Sequence, residues 1–186
     1  KFDPNDPKIQ DKINEFSNML IQQIDTLSTI ASAFSNFANM PAQNREEIDV
    51  VQVVKKALDI FTEDYISFFP KKDSIIAKMD KTQVIRIVTN LVKNATQSLE
   101  DVVDKKLEVT VSEDDENVCI TIADNGKGIS EEDAIRVFEP KFTTKTSGMG
   151  LGLAMVKNIV DAYDGSVTFT SQTNVGTVFT VKLPKN

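Results

Sequence analysis

The chain contains no histidine and only one cysteine among its 186 residues. A single cysteine, Cys119, excludes an internal disulfide bond and a zinc site built from cysteines. It lies in an alternating apolar run, so we expect it to be a packed strand residue. The absence of histidine constrains any mechanism, because histidine is the side chain that most often serves as a general acid or base.

No segment of the given sequence resembles a signal peptide, and no apolar run in it is long enough to span a bilayer. Acidic residues outnumber basic ones, 28 against 21, which gives a net charge of -7. A general nucleic-acid binder needs a basic face, so this function is disfavoured. The composition, 40% hydrophobic and 26% charged, is that of a globular protein. The chain begins at Lys1 without a methionine, and we expect it to be part of a longer protein.

Residues 8–40 are predicted to form one long helix that ends at Pro41. Apolar residues recur in it at steps of three and four, which is a heptad pattern with a stutter. The positions are Ile9, Ile13, Phe16, Leu20, Ile24, Leu27, Ala31, Phe34 and Ala38. We expect this face to pack against a partner helix; packing on the helix's own domain is the alternative.

From Ile48 onward, predicted strands alternate with predicted helices. Capping patterns that open helices are Asp49 with Gln52, Asp80 with Gln83, and Ser130 with Asp133. Short apolar segments predict strands at 65–69, 75–79, 107–111, 118–122, 167–170 and 177–183. A further helix is predicted over 151–163, and a mobile loop over 139–150. The predicted fold is α+β, a two-layer α/β sandwich with its helices on one face, preceded by one long helix.

Two asparagines, Asn90 and Asn94, are four residues apart on a predicted helix, so their amides lie about 6 Å apart on one face. Carboxamides in a cleft need partners, and a magnesium ion with phosphate oxygens suits them. The alternative is a pair of solvent-facing amides.

Asp124 ends an apolar strand and is followed by Gly126 and Gly128. The glycines permit positive φ angles and close approach of a flat ligand. The carboxylate can accept a hydrogen bond from the exocyclic amine of adenine. An ordinary tight turn is the alternative explanation.

A second glycine run, Gly148, Gly150 and Gly152, leads into the helix predicted from Leu151. Backbone N–H groups at a helix start bind phosphate, although a flexible hinge has the same composition. The run matches neither the phosphate-binding loop with Gly-Lys-Ser/Thr nor a Rossmann fingerprint. The preceding residues 138–145 offer lysines and hydroxyls to a polyphosphate, or are simply a solvated loop.

Taken together and in this order, these segments resemble the catalytic ATP-binding domain of sensor histidine kinases. This domain belongs to the superfamily of Bergerat-type ATPases shared with gyrase, the Hsp90 chaperone and MutL. The matching motifs are the N box (90–95), the G1 box (124–129), the F box (138–145), the G2 box (148–153) and the closing Gly176-Thr177. The resemblance covers residues 46–184, and the Phe-Thr-Thr-Lys sequence before a short lid is similar to the nitrogen-sensing kinases.

The resemblance implies ATP and Mg²⁺ as cofactors and a role for each matching residue. Asn94 would be the magnesium ligand with Asn90 beside it, and Asp124 would bind the adenine amine, with Thr177 helping through water. Residues implied to line the base are Gly126, Gly128 and Ile129. Residues implied to form the lid and the phosphate edge are Lys141, Thr143, Thr144, Lys145, Gly148, Met149, Gly150, Leu151, Gly152 and Leu153.

The resemblance also divides the chain into residues 1–45, the second helix of a dimerisation and histidine-phosphotransfer hairpin, and residues 46–186, the catalytic domain. In the family the acceptor histidine lies on the helix that precedes residue 8, so this chain alone is not expected to autophosphorylate. Implied partners are that histidine-bearing helix, a response regulator receiver domain and a second copy of the parent protein. The implied location is cytoplasmic, with no membrane contact by this part; the parent protein could be anchored in the inner membrane.

One position departs from the family, because Gln97 stands where the N box often has a lysine. Lys141, Lys145, Lys93 and Arg86 are all candidates to neutralise phosphate in its place. Two other functions remain open: a serine-protein kinase of the anti-sigma type, which needs no histidine of its own, and a pseudokinase that binds a partner through residues 8–40. A gyrase-like ATP hydrolase is disfavoured, since it uses a glutamate base where this chain has Asn90.

Overall fold

The computed structural model describes residues 12–24, 27, 43–140 and 150–186. The chain divides into two compact units, residues 1–41 and 42–186. In the first unit, residues 12–24 form a helix, α1, which confirms that part of the predicted long helix. The remainder, including its end at Pro41, lies outside the described residues. The apolar side chains described in this unit are 42–64% exposed: Ile13, Phe16, Met19, Leu20, Ile21, Ile24 and Leu27.

The second unit contains four further helices and seven strands among its described residues. The helices are α2 (Val50–Leu58), α3 (Lys81–Ser98), α4 (Glu131–Ala134) and α5 (Gly152–Asp161). The strands are β1 (Glu46–Asp49), β2 (Ile66–Pro70), β3 (Ile76–Met79), β4 (Leu107–Glu113), β5 (Asn117–Asp124), β6 (Ser166–Gln172) and β7 (Gly176–Pro184).

Five strands form one sheet in the order β2-β4-β5-β7-β6, and β1 pairs with β3 in a separate two-stranded sheet. Strands β2 and β4 are parallel, whereas the other neighbouring pairs described are antiparallel. Helix α3 packs against α2, α5 and β5. The predicted two-layer α/β fold is therefore confirmed.

The core lies between the helices and one face of the large sheet. Alternate residues of the central strands are fully or almost fully buried on that face: Leu107, Val109, Val111, Val118, Ile120, Ile122, Phe179, Val181 and Leu183. The facing side of α3 contributes Val84, Ile87, Val88, Leu91 and Val92, all at 0% exposure. Cys119 lies on β5 as predicted, but on the opposite, half-exposed side of that strand.

Three helix starts confirm the capping patterns read from the sequence. Asp49 accepts from the N–H groups of residues 51 and 52, Asp80 from those of residues 82 and 83, and Ser130 from that of residue 133. Each side chain satisfies N–H groups that a helix start otherwise leaves without partners. Helix α4 ends at Ala134, earlier than its predicted end near residue 138.

Strand β1 was not predicted. Its sequence, Glu-Glu-Ile-Asp, has a single apolar residue, Ile48, which is 7% exposed. The strand exists because it pairs with β3, in the register Ile48 opposite Ala77. Pairing with a strand so distant in sequence cannot be read from the four residues of β1, which are too few to show a periodic apolar pattern.

Candidate functional site

Asp124 is the last residue of β5 and is only 9% exposed. Its Oδ1 accepts hydrogen bonds from the hydroxyl of Ser98 and from the backbone N–H of Gly126, each at 2.9 Å. Burial of an ionised carboxylate is costly unless donors compensate for the lost water, and these two donors do so. The carboxylate is therefore held in a fixed orientation where β5 meets the C-terminal end of α3.

Thr177, on β7, lies directly opposite Asp124 in the sheet register and is 4% exposed. Its hydroxyl is 2.9 Å from that of Ser171. The Ser171 oxygen accepts from the N–H of Ile129 at 2.8 Å, and its hydroxyl donates to the carbonyl of Gly176 at 3.0 Å. The Ser171 hydroxyl has one proton, and it donates that proton in its hydrogen bond to the Gly176 carbonyl. The Thr177 hydroxyl is therefore the donor in the hydrogen bond between Thr177 and Ser171. This network fixes the segment after β5 against the β6–β7 hairpin.

The two glycines that follow Asp124 lie too close to neighbouring atoms for any side chain. A Cβ on Gly126 would lie 2.1 Å from Ser98 Oγ, and a Cβ on Gly128 would lie 2.2 Å from the carbonyl oxygen of Gln172. Gly128 also has a φ of 70°, in the left-handed region. The structure thus places Gly126, Gly128 and Ile129 beside Asp124, where the sequence predicted them.

One face of α3 carries Arg86, Asn90, Asn94 and Ser98 at successive spacings of four residues, all half-exposed. The Asn90 Nδ2 donates to the carbonyl of Arg86 at 2.8 Å. From Asn90 to Ser98 the helix rises about 12 Å, since each residue adds about 1.5 Å. This row of polar side chains therefore runs from the Asp124 end of the site along the helix.

The start of α5 lies against Asn90. A Cβ on Gly152 would be 3.0 Å from Asn90 Oδ1, and Met155 Sδ is 3.8 Å from Asn90 Nδ2. Gly150 has a φ of 64°, and Leu151, the N-cap residue, makes no side-chain capping bond. The first turn of α5 contains no acidic residue. Its N–H groups and the positive end of the helix dipole are suited to an anion.

Several residues predicted for the site lie outside the described residues: Lys141, Thr143, Thr144, Lys145, Gly148 and Met149. Leu151 is buried, and Gly150, Gly152 and Leu153 are half-exposed at the start of α5. The structure brings Asp124 together with Thr177, and Asn90 together with Gly152. Phe138, in the predicted F box, packs edge-on against Phe169 and Phe179, with ring centroids 6.0 and 6.4 Å away.

Two serines that contact the site, Ser98 and Ser171, were not predicted. Each hydroxyl reaches a residue far away in sequence, at position 124 for Ser98 and at position 129 for Ser171. The spacing of Ser98, four residues after Asn94, was the only available signal, since it places the serine on the same face of the helix.

Among the described groups with shifted pKa values, Tyr163 and Glu113 lie away from Asp124. Burial raises the pKa of Tyr163, whose oxygen accepts from the N–H of Asp80 at the opposite end of α3. Lys185 and Lys72 lower the pKa of Glu113 at the far end of β4. Across residues 12–24, 27, 43–140 and 150–186, no three or more acidic, histidine or cysteine side chains form a group that could hold a metal ion.

Comparison with known proteins identifies the family to which this chain belongs. Residues 79–186 match the family described as "Histidine kinase-, DNA gyrase B-, and HSP90-like ATPase". The predicted NtrY-like sensor histidine kinase of Rickettsia conorii is 31% identical over 183 residues, which cover 95% of this chain and 30% of the relative. This chain therefore spans less than a third of the length of that relative.

Solved structures agree. The catalytic domain of histidine kinase ThkA has a TM-score of 0.68 and 27% identity, covering 76% of this chain and 96% of that domain. The histidine kinase ThkA in complex with the response regulator protein TrrA has a TM-score of 0.75 and 21% identity, covering 100% of this chain and 53% of that chain, and supports the fold. The resemblance read from the sequence is confirmed.

Proposed function

The chain belongs to the family of histidine kinase-, DNA gyrase B- and HSP90-like ATPases, and we propose that it is the ATP-binding catalytic part of a two-component sensor histidine kinase. Residues 46–186 would form the catalytic domain and residues 1–45 the second helix of a dimerisation and phosphotransfer hairpin. The proposed reaction moves the γ-phosphoryl group of ATP to a histidine outside this sequence.

The observation that carries the proposal is the buried carboxylate of Asp124 opposite Thr177. A carboxylate accepts a hydrogen bond from the amine of adenine, and its own environment already holds it in place through Ser98 and Gly126. Because Gly126 and Gly128 lack side chains, a flat base could lie against their backbone. We assign the adenine to this end of the site, with Thr177 contacting it through water.

The other end of the polar row on α3 is assigned to the phosphates. Asn94 would ligate Mg²⁺ through its amide oxygen, which is the hard oxygen ligand that magnesium prefers together with phosphate and water. Asn90 would lie beside it, facing the N–H groups at the start of α5. Among the cations proposed to replace the usual N-box lysine, Arg86 shares the face of Asn90 and Asn94.

This chemistry needs no acid–base pair from the chain. Phosphoryl transfer depends mostly on positioning and on neutralising charge, which magnesium and helix N–H groups supply when the nucleotide is bound. The absence of histidine from the sequence is consistent with this role, because the acceptor would belong to another segment or another protein.

Helix α1 supports the proposed partners. Its apolar side chains Ile13, Phe16, Leu20 and Ile24 follow a heptad-like spacing and are all exposed. Such a face fits a partner helix, which we identify with the histidine-bearing helix of a homodimeric parent. A response regulator receiver domain is the proposed final acceptor of the phosphoryl group.

No described helix is long and apolar enough to cross a membrane. A cytoplasmic location, with the parent anchored in the inner membrane, remains a proposal from the resemblance.

Calorimetric titration with Mg-ATP tests the binding site. We expect wild-type chain to bind and Asn94→Ala to bind at least about tenfold more weakly in magnesium, with a smaller difference in EDTA. Thr96→Val, which removes an exposed hydroxyl from the same helix, is the matched control and should bind like wild type. Equal binding by wild type and Asn94→Ala would refute the assignment of Asn94.

Labelling tests the reaction. Incubation with radiolabelled ATP and a separately supplied histidine-bearing hairpin should give an acid-labile phosphoprotein. An acid-stable product would instead favour the serine-protein kinase, and ATP binding without any labelled product would favour the pseudokinase.

A further inference from the structure

We propose that Ser98 is a positioning residue that orients the Asp124 carboxylate and so sets the selectivity of the site for the amino group of adenine. This inference rests on the proposed function, because it assumes that Asp124 binds the base. It concerns a residue that lies outside the motifs read from the sequence.

The Ser98 hydroxyl lies between two acceptors. Its oxygen is 2.8 Å from the carbonyl of Ala95 and 2.9 Å from Asp124 Oδ1. A serine has one proton to donate, and an ionised carboxylate is the stronger acceptor because the hydrogen bond is charge-assisted. The contact with Asp124 is therefore a donor–acceptor bond.

The backbone around Ser98 fixes the position of that hydroxyl. Ser98 is the last residue of α3, and its carbonyl accepts from the N–H of Lys127 at 3.1 Å. The serine Oγ also lies close enough to Gly126 that a Cβ there would come within 2.1 Å of it. Ser98 thus contacts Asp124 and the two positions 126 and 127 of the following turn. Neither α3 nor the turn can shift without disturbing the other.

The hydrogen bond from Ser98 limits rotation of the Asp124 carboxylate. The terminal torsion of an aspartate has only a weak intrinsic preference, so its neighbours decide where the two oxygens point. With both Ser98 and the Gly126 N–H on Oδ1, the plane of the carboxylate is fixed. Removal of the hydroxyl takes away one of these two donors, and the carboxylate then loses part of its fixed direction toward the base.

The test compares two nucleotides that differ by one amino group. Affinities of the full chain for Mg-ATP and for purine riboside triphosphate, which lacks the 6-amino group, are measured by calorimetry. Ser98→Ala should weaken ATP binding about 3- to 10-fold and leave the analogue unchanged, since the net contribution of one ordinary hydrogen bond is of that order. Ser98→Thr, which keeps the hydroxyl, should restore the preference for ATP.

A structural role alone would change binding of both nucleotides equally, and that result overturns the proposal, as does unchanged ATP binding in Ser98→Ala. Thr96→Val is the matched control, because it removes a hydroxyl from the same helical turn that donates to the backbone carbonyl of Lys93, at 3.0 Å. Ser98→Cys, with a weak donor, repeats the comparison if the alanine variant fails to fold.

A wild-type chain that binds ATP but does not prefer it to the analogue would refute the role of Asp124 and with it this inference. A wild-type chain that binds neither would refute the proposed function itself.

Discussion

The tightest backbone contact at the site predicts that Gly176→Ala will destabilise the domain severely. Gly176 begins β7 with a φ of 141°, a conformation nearly confined to glycine. A Cβ there would lie 2.0 Å from the carbonyl oxygen of Asp124 and 2.9 Å from the Cα of Asn125. Both obstacles are backbone atoms, which cannot rotate away as the end of a side chain can.

The size of the effect follows from two costs. Alanine in this backbone conformation costs about 1–3 kcal/mol. The contact must also lengthen from 2.0 Å toward the ordinary 3.4 Å or more, so the start of β7 has to move away from the end of β5. Since Thr177 pairs with Asp124, that movement loosens the sheet beside the site. We expect a loss of about 3 kcal/mol or more from the free energy of unfolding, a large part of the stability of a typical domain.

Urea unfolding followed by circular dichroism measures this loss. Val175→Ala is the matched control, because it places an alanine in the same turn at a side chain that is already 57% exposed, and it should change stability by less than about 0.5 kcal/mol. The folded fraction of Gly176→Ala should also bind Mg-ATP at least about tenfold more weakly than wild type. If Gly176→Ala unfolds within about 1 kcal/mol of wild type, the backbone contact does not have the rigidity argued here.

Two further predictions concern regions away from the site. Lys185 and Lys72 lower the pKa of Glu113, so the unfolded chain binds this proton more readily, and the stability from the ion pairs is present above about pH 4.5 and is lost as the pH falls below it. In urea unfolding, Glu113→Gln should therefore be less stable than wild type at pH 6, with a difference that shrinks toward pH 3; a constant difference would contradict this. Arg45 lies 4.3 Å from the ring centroid of Tyr163 and donates to the carbonyl of Ala162 at 3.1 Å, so Arg45→Ala should cost about 1–2 kcal/mol in the same assay. Arg45→Lys, which keeps the charge but not the planar group, should recover only part of it, and full recovery would show that charge alone matters.

The parts of the fold that were predicted correctly are those determined by residues close together in sequence. Asp49, Asp80 and Ser130 cap helices through hydrogen bonds that span two or three residues, so their spacing alone identifies them. The alternation of Val118, Ile120 and Ile122 predicts a strand with one buried face, since side chains alternate across a strand. β1 lacked such a pattern, and its partner β3 begins 27 residues after β1 ends.

The candidate site shows the same division at the level of single residues. Asp124 and its glycines could be identified because a carboxylate and two glycines at a strand end form a local pattern. Ser98 could not, because its function depends on β5 bringing Asp124 to the end of α3, a contact between residues 26 positions apart. A serine near the end of a helix is common, and only the fold turns this one into a donor for the carboxylate.

Helix α3 gives the site its geometry. Its residues Asn90, Asn94 and Ser98 share one face, so the distance of about 12 Å between the two ends of that row is fixed by the rise of a single rigid helix. One end meets the start of α5 at Gly152, and the other end holds Asp124 through Ser98. A nucleotide bound along this face would have its base and its phosphates placed by the same element. A substitution at Ser98 should therefore affect recognition of the base while leaving the magnesium dependence set by Asn94 intact, and measuring both in one variant separates the two ends of the site.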